Sequence, residues 1–475
     1  MEKATNQWRA WSPLSMVVFV AIVLAAGCNR APAAQSSAPS RVNASQSVTQ
    51  SNLPVFPGAE GFGTRTPAGR GGRIISVTSL ADRGPGTLRA AVDYPGPRII
   101  IFKVGGTIRL KKFLMIQSPY ITIAGQTAPG HGILIRDVGI VIRTHDVLIQ
   151  NIRVRPGNIG HVKPDRNDAI QILGSSERGG TYNVVLDHIS ASWGEDETIS
   201  TWYAPHDLTI SWSIISEGLH KSRHPKGAHS AGLIIGDGSN HVSVHHSLFA
   251  HNFMRNPLYT GGGTHDLVNN VIYNWGWLAT DINDDKSNTK LNVVGNYYRR
   301  GANSTRNYAI TINPDYGGGV PLIYVKGNLG PRRLDARTDE WALVSNGYEN
   351  ASMAPSKYRV MSPFAAPPVT TLSATDALEA VLSRAGATAP KRDSVDSRVV
   401  ASVRNRSGSI INSPDEAGGY PDYVEGNPPR DSDDDGMPDD WENKIGLDPR
   451  NPADANSDHD GDGYTNIEEY LHSLM

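Results

Sequence analysis

Near the C-terminus two stretches repeat one arrangement of acids. Asp431, Asp433 and Asp435 alternate ahead of Gly436 and are followed by Glu442; Asp458, Asp460 and Asp462 alternate ahead of Gly463 and are followed by Glu469. Both fit a twelve-position loop in which positions 1, 3 and 5 give side-chain oxygens, position 6 is a turn glycine and position 12 is a carboxylate that binds through both oxygens. So many carboxylates in one loop repel one another unless a cation sits among them. Hard oxygen donors in this number select Ca²⁺. Extracellular loops of this kind bind it at about 0.1 to 1 mM, which suits a structural role outside the cell.

A second set of acids and bases lies mid-chain. Asp168 stands in one polar stretch, and Asp196 and Glu197 in a second. His220, Lys221, Arg223, His224, Lys226 and His229 fall in a third, and Arg255 follows in His251-Asn-Phe-Met-Arg255-Asn-Pro257. Acids that hold a divalent cation, beside an arginine and a lysine, suit the handling of an anionic substrate. These residues are far apart in sequence, so an element that stacks distant segments must bring them together.

The chain supplies such an element. Short strand-like runs recur and end in one matching column: Gly125, Asn151, His188, Trp212, His246, Asn270 and Asn296, at intervals of 26, 37, 24, 34, 24 and 26 residues. A strand repeating every twenty-odd residues cannot bury its own apolar face and must stack on its neighbours, which predicts a β-solenoid. We expect an all-β chain whose main body is a right-handed parallel β-helix, with the column forming a ladder inside the stack or at its corner. The two long intervals predict excursions, at 157–178 and 217–237, that carry binding residues on the solenoid surface. Stacked coils would place the acids and bases in one cleft, with layers about 4.8 Å apart. His245, His246 and His251 alternate along a strand and its flank and read as packing residues.

These residues resemble the pectate lyases of polysaccharide lyase family 1. The resemblance rests on Phe56-Pro-Gly-Ala-Glu-Gly-Phe-Gly63, Asp168-Ala-Ile, Val184-Val-Leu-Asp187-His188 and Arg255-Asn-Pro257, in that order, and covers roughly residues 55 to 300. It implies cleavage of polygalacturonate or pectate by calcium-assisted β-elimination, giving 4,5-unsaturated oligogalacturonides. By the same resemblance Arg255 is the base, Lys226 (or Lys221) binds a substrate carboxylate, and Asp168 with Asp196 or Glu197 holds the catalytic Ca²⁺. Arg166 and Thr260 depart from the family's pattern, standing where some members carry a calcium acid and a second arginine. The terminal loops resemble dockerin or thrombospondin type 3 repeats, because no helix precedes the first. Whether that module has a protein partner stays open. Two other classes remain: a non-catalytic β-helix that binds polysaccharide or mediates adhesion, and a hydrolase of the polygalacturonase type, which would need a cluster of catalytic carboxylates.

The remaining sequence bounds these readings. Net charge is −2, with 45 basic and 47 acidic residues, so nothing suggests nucleic acid. Forty-eight glycines and 31 prolines fit a turn-rich β protein. Residues 1–28 read as an export signal with the apolar run Met16 to Ala26, and Leu24-Ala-Ala-Gly27-Cys28 resembles a bacterial lipoprotein box. Cys28 is the only cysteine, so it is expected to be a lipid attachment point, placing the enzyme on the cell envelope or outside it. The expected organisation is a flexible linker at 29–52, the β-helix at 53–345, a segment at 346–425 that packs on the helix and ends in a linker, and paired calcium loops at 426–475. A helix is predicted from Ala374 to Ala385, stopped by Gly386.

Overall fold

The computed structural model describes residues 53–283, 287–313, 319–348 and 352–475. The export signal, Cys28 and the first linker lie outside the described residues. From Arg73 onward the chain winds through three sheets of eleven, ten and eight strands, each built almost wholly from parallel neighbours one coil apart. The expected parallel β-helix is present. One pair, Val344–Asn346 with Ser352–Met353, is antiparallel and closes the ten-stranded sheet.

The sequence makes coils because each strand is an aliphatic run of three to six residues ending in a residue that tolerates a left-handed backbone. Inward side chains such as Ile123, Ile149, Leu186, Ile210, Val244 and Leu267 form one continuous core running up the stack. Each such side chain contributes about 1.5 to 3 kcal/mol on burial, but only when coils above and below cover it. Asn151, His188, Trp212, His246 and Asn269 all have φ near +50° and turn the chain from the eleven-stranded into the eight-stranded sheet.

Strand pairing corrects the predicted column. Val242 pairs with His265 and Leu267 with Val293, which aligns His246 with Asn269 and Gly295 rather than with Asn270 and Asn296. There are two adjacent columns. In one, outside the corner, His188, Trp212 and His246 stack ring on ring, with Arg384 over Trp212. In the next, the Asn270 amide donates to Asn296 at 3.0 Å and that of Asn296 to Asn328 at 2.9 Å, so each coil's corner is tied to the one above.

The C-terminal third wraps this stack. Helix Ala374–Arg384, capped by Ser373, forms as predicted. A second helix, Ser394–Asn405, was not foreseen; its Val and Ser content is poor in helix formers, and packing decides it. Leu378, Val381, Val399 and Val403 cover Ile214, Leu248, Val271 and Tyr273 on the outer face of the eight-stranded sheet. Asp393 and Asp396 at the start of the second helix pair with the wholly buried Arg155. The C-terminal acidic-loop segment also lies against the stack. Met437, Ile467 and Leu471 sit on Ile99, Ile101 and Ala124, the outward side chains of the eleven-stranded sheet. The strand Arg98–Phe102 is buried along its whole length, and its unbroken apolar run reflects cover on both faces.

Candidate active site

The two predicted excursions are the loops that lead from the eight-stranded into the ten-stranded sheet. They end where strands Ile170–Leu173 and Ala231–Ile235 begin. Ile170 pairs with Ile199 and Glu197 with Ala231, which puts Asp168, Glu197 and Ala231 in one column on successive coils. Met254 bridges to Ala231 on the next coil, so Arg255 enters the same column from above. Sequence separation disappears here because the solenoid register adds up coil by coil.

The side chains converge. One carboxylate oxygen from each of Asp168, Asp196 and Glu197 lies within 4.8 Å of the others. The Arg255 guanidinium donates to Glu197 Oε1. Asp168 is buried, accepts from the Ser200 hydroxyl, and has its other oxygen, Oδ1, without a hydrogen-bond partner. Burial and the neighbouring Asp196 carboxylate push Asp168 well above the usual carboxylate range, against the opposing pull of Ser200 and Arg255. A group in that state favours either a proton or a cation. Three clustered carboxylates with an orphaned buried oxygen suit a hard divalent ion such as Ca²⁺.

Asp196 faces two imidazoles. His229 Nε2 is 2.9 Å and His224 Nε2 3.3 Å from its Oδ1, and the two rings stack at 4.2 Å. Burial opposes ionisation of Asp196, yet these two contacts outweigh it and hold the carboxyl well below its ordinary value. Lys226 and Lys221 are both exposed on the same loop. Lys226 gives its backbone N–H to His224 Nδ1, and its charge acts on His229.

Residues that sequence reasoning passed over hold the loops in place. Glu195, wholly buried, accepts from Asn167 at 2.9 Å on one excursion and from Arg223 Nε at 3.1 Å on the other. Glu217, at the root of the second excursion, takes Trp193 Nε1 at 3.0 Å and Arg398. Asp281, one coil beyond Arg255, is buried with an unpartnered Oδ1, and burial pushes it up to about 8 despite the nearby Arg255. The acidic run Glu195-Asp196-Glu197 was a visible signal for the first of these; Asp281 had none.

Asp187 and His188 lie away from this cluster. Asp187 accepts from Ser211 at 2.7 Å, from Gln150 at 3.0 Å and from His188 at 2.9 Å, and so ties three coils together. His245, His246 and His251 are engaged with the Glu60 carbonyl, the Trp212 ring and the Ser402 hydroxyl respectively. Burial holds His246 at about 3 and His251 at about 4, so both are neutral.

With this geometry in hand, the chain can be set beside known proteins. No family model matches it. It is 37% identical over 434 residues to a probable pectate lyase C of Aspergillus flavus, covering 90% of this chain and 95% of that one. The corresponding Aspergillus terreus protein is 36% identical over 433 residues, with the same coverage. The chain belongs to the pectate lyase family. A probable pectate lyase 7 of Arabidopsis thaliana matches more narrowly, 32% identical over 239 residues that cover 46% of this chain and 47% of that one. Among solved structures, jun a 1, the major allergen of cedar pollen, shares the fold with a TM-score of 0.50 and 18% identity, covering 69% of this chain and 92% of that one. This pectate lyase is therefore an enzyme, and the non-catalytic and hydrolase readings fall away.

Proposed function

We propose that this pectate lyase cleaves polygalacturonate by β-elimination in the cleft between the two excursions. The observation that carries the reading is the direct pairing of Arg255 with Glu197 inside the acid cluster, which sets a base and a cation-binding group side by side. Asp168, Asp196 and Glu197 would hold the divalent ion. Ca²⁺ bound there supplies positive charge that neutralises a uronate carboxylate and makes the adjacent C5 proton more acidic.

Arg255 is the base. Its free pKa is above about 12, so its neutral form needs help from the site. In the present geometry the guanidinium donates to Glu197 Oε1. Glu197 has two uses, as partner to Arg255 and as cation ligand. The left-handed backbone at Arg255 (φ 61°) aims its side chain back along the column toward Glu197. The proton leaves C5 for Arg255, the C5–H electron pair becomes the 4,5 double bond, and the C4–O pair departs with the glycosidic oxygen, which takes a proton from solvent; no water adds across the bond. Lys226, exposed on the loop that carries His224 and His229, would take a second substrate carboxylate. The two histidines keep Asp196 ionised, so one ligand of the cation site stays charged even at acidic pH.

The enzyme is proposed to act outside the cell, where its polymer is found. The anchor expected at Cys28 was of bacterial type; the relatives with near-complete matches are fungal and give it no support, and it is not part of this proposal. The test is ultraviolet absorbance of the unsaturated uronide with polygalacturonate, in calcium and then in chelator. A calcium-dependent rise is expected. No rise on polygalacturonate or on methylated pectin would remove the substrate assignment.

A further inference from the structure

The first terminal loop shows more than its sequence motif. Asp433 and Asp435 each give one oxygen to the loop's own backbone, and Asp431 gives both. Asp433 Oδ1 takes the Asp435 N–H at 3.4 Å, and Asp435 Oδ1 takes the Met437 N–H at 2.9 Å. Asp431 accepts from Asp434 at 2.8 Å and from Gly436 at 3.0 Å. The other oxygens, Asp433 Oδ2 and Asp435 Oδ2, are buried and have no partner. Glu442 is wholly buried, with both carboxylate oxygens unpartnered.

A fifth acid, absent from the motif, joins them. Asp454 comes from the turn that precedes the second loop, and one of its oxygens lies within 4.8 Å of oxygens of Asp435 and Glu442. Its Oδ1 is also buried and unpartnered. The turn is held by Asn466, at the start of the last helix, whose amide donates to the Asp454 carbonyl at 2.8 Å. Five buried or half-buried carboxylates that face one another without protons or cations would force the segment apart. Their five free oxygens, Asp433 Oδ2, Asp435 Oδ2, both of Glu442 and Asp454 Oδ1, supply most of the six to eight hard donors that Ca²⁺ takes.

This cluster is fastened to the β-helix. Lys103, just past strand Arg98–Phe102, reaches Asp431 Oδ2 at 3.1 Å and also pairs with Asp434. Met437, which follows the loop glycine, is wholly buried against Ile99 and Ile101. Arg70 pairs with Glu468 at 2.8 Å on the last helix.

We propose that the first loop and Asp454 together form a single five-carboxylate calcium site, and that the bound ion locks the C-terminal segment onto the wall of the β-helix. The site does not depend on the lyase reading, because its residues are separate from those of the cleft. Four consequences separate it from a simple paired-loop module. The tight site needs Asp454, which lies outside both motifs. The second loop binds Ca²⁺ more weakly. Calcium protects residues 437–475 and the strand at 98–102 together. Removing the ion loosens the outer face of the eleven-stranded sheet.

The experiment is calcium calorimetry on the full chain, together with hydrogen exchange in calcium and in chelator, for the wild type and for Glu442→Gln, Asp454→Asn and Asp462→Asn. The expected result is a tight binding event that weakens at least 10- to 100-fold in Asp454→Asn, is abolished in Glu442→Gln, and is unchanged in Asp462→Asn. Chelation of the wild type is expected to speed exchange in both the last two helices and the 98–102 strand. The wild-type arm needs no variant to fold. The proposal is overturned if chelation leaves exchange at 437–475 unchanged, or if Asp454→Asn binds as tightly as the wild type. Lyase turnover measured on the same samples reads the other proposal separately: no turnover by the wild type in calcium, with intact protection of the tail, counts against the lyase reading alone.

Discussion

The cleft and the first terminal loop both gather buried acids, but they balance the charge differently. In the cleft, Asp168, Asp196 and Glu197 share space with Arg255, His224 and His229, so the cluster holds its charge in check with its own bases. In the terminal loop the acids have, among the described residues, one base, Lys103, at the edge, and several oxygens without a partner. A site that supplies its own counter-charge persists without a ligand and is free to exchange one. A site that lacks it depends on an ion for its shape. That difference is why we propose turnover for the first region and attachment for the second.

The sharpest break in that comparison is Arg255→Lys. Loss of a positioned base costs about 10² to 10⁴ in turnover. We expect a fall in kcat within that range with an unchanged melting temperature, and unfolding of the variant by itself would sink the catalytic assignment.

Glu442→Gln is expected to do the reverse. An ion at about 100 times its Kd stabilises by about 2.7 kcal/mol, and the variant forfeits that gain. The readout is the calcium-dependent part of the melting temperature, which should vanish while kcat at saturating substrate changes less than twofold.

Asp281→Asn tests whether burial beside the cleft holds this acid neutral despite Arg255. Its folded value of about 8 lies above the ordinary carboxylate value of 3.8, so the folded state keeps a proton that the unfolded state releases. The stability it contributes is complete below about pH 4 and is lost as pH rises toward 8. The variant should therefore be more stable than the wild type at pH 9, by more than about 1 kcal/mol, and should match it near pH 4. Equal pH slopes for the two proteins would remove the claim that Asp281 is held neutral.

The smallest effect is expected from Asp462→Asn. Asp458, Asp460 and Asp462 are exposed, so their loop pays little to lose its ion. A shift in melting temperature below about 2 °C is expected, with activity unchanged. A shift as large as that of Glu442→Gln would make the two loops equivalent and erase the contrast between them.

Several of these features were legible before any fold was known. The loop acids stand at fixed spacing because their ligand geometry is local, set by a single turn of chain. The solenoid announced itself through aliphatic runs at nearly regular intervals, because each coil must present an apolar face at the same point. The excursions stood out as long intervals. What slipped was register. Asn269 and Asn270 are adjacent and identical in type, so a one-residue step moved the column from one ladder to its neighbour. That step flips which face each side chain meets.

Chain order alone determined the class of the protein: a coiled stack of strands, an arginine following a histidine-rich loop, and two oxygen-rich turns near the end. Those are local patterns, and local patterns survive in sequence. Only the tertiary structure decided which groups share a space. Glu195 joins two loops, His224 and His229 close on Asp196, Asp454 completes a site whose motif omits it, and Lys103 meets Asp431 across 328 residues of chain, the difference of their numbers. The physical reason is that charges and cations act through space at a few ångströms, while spacing in sequence records only the bonds between them.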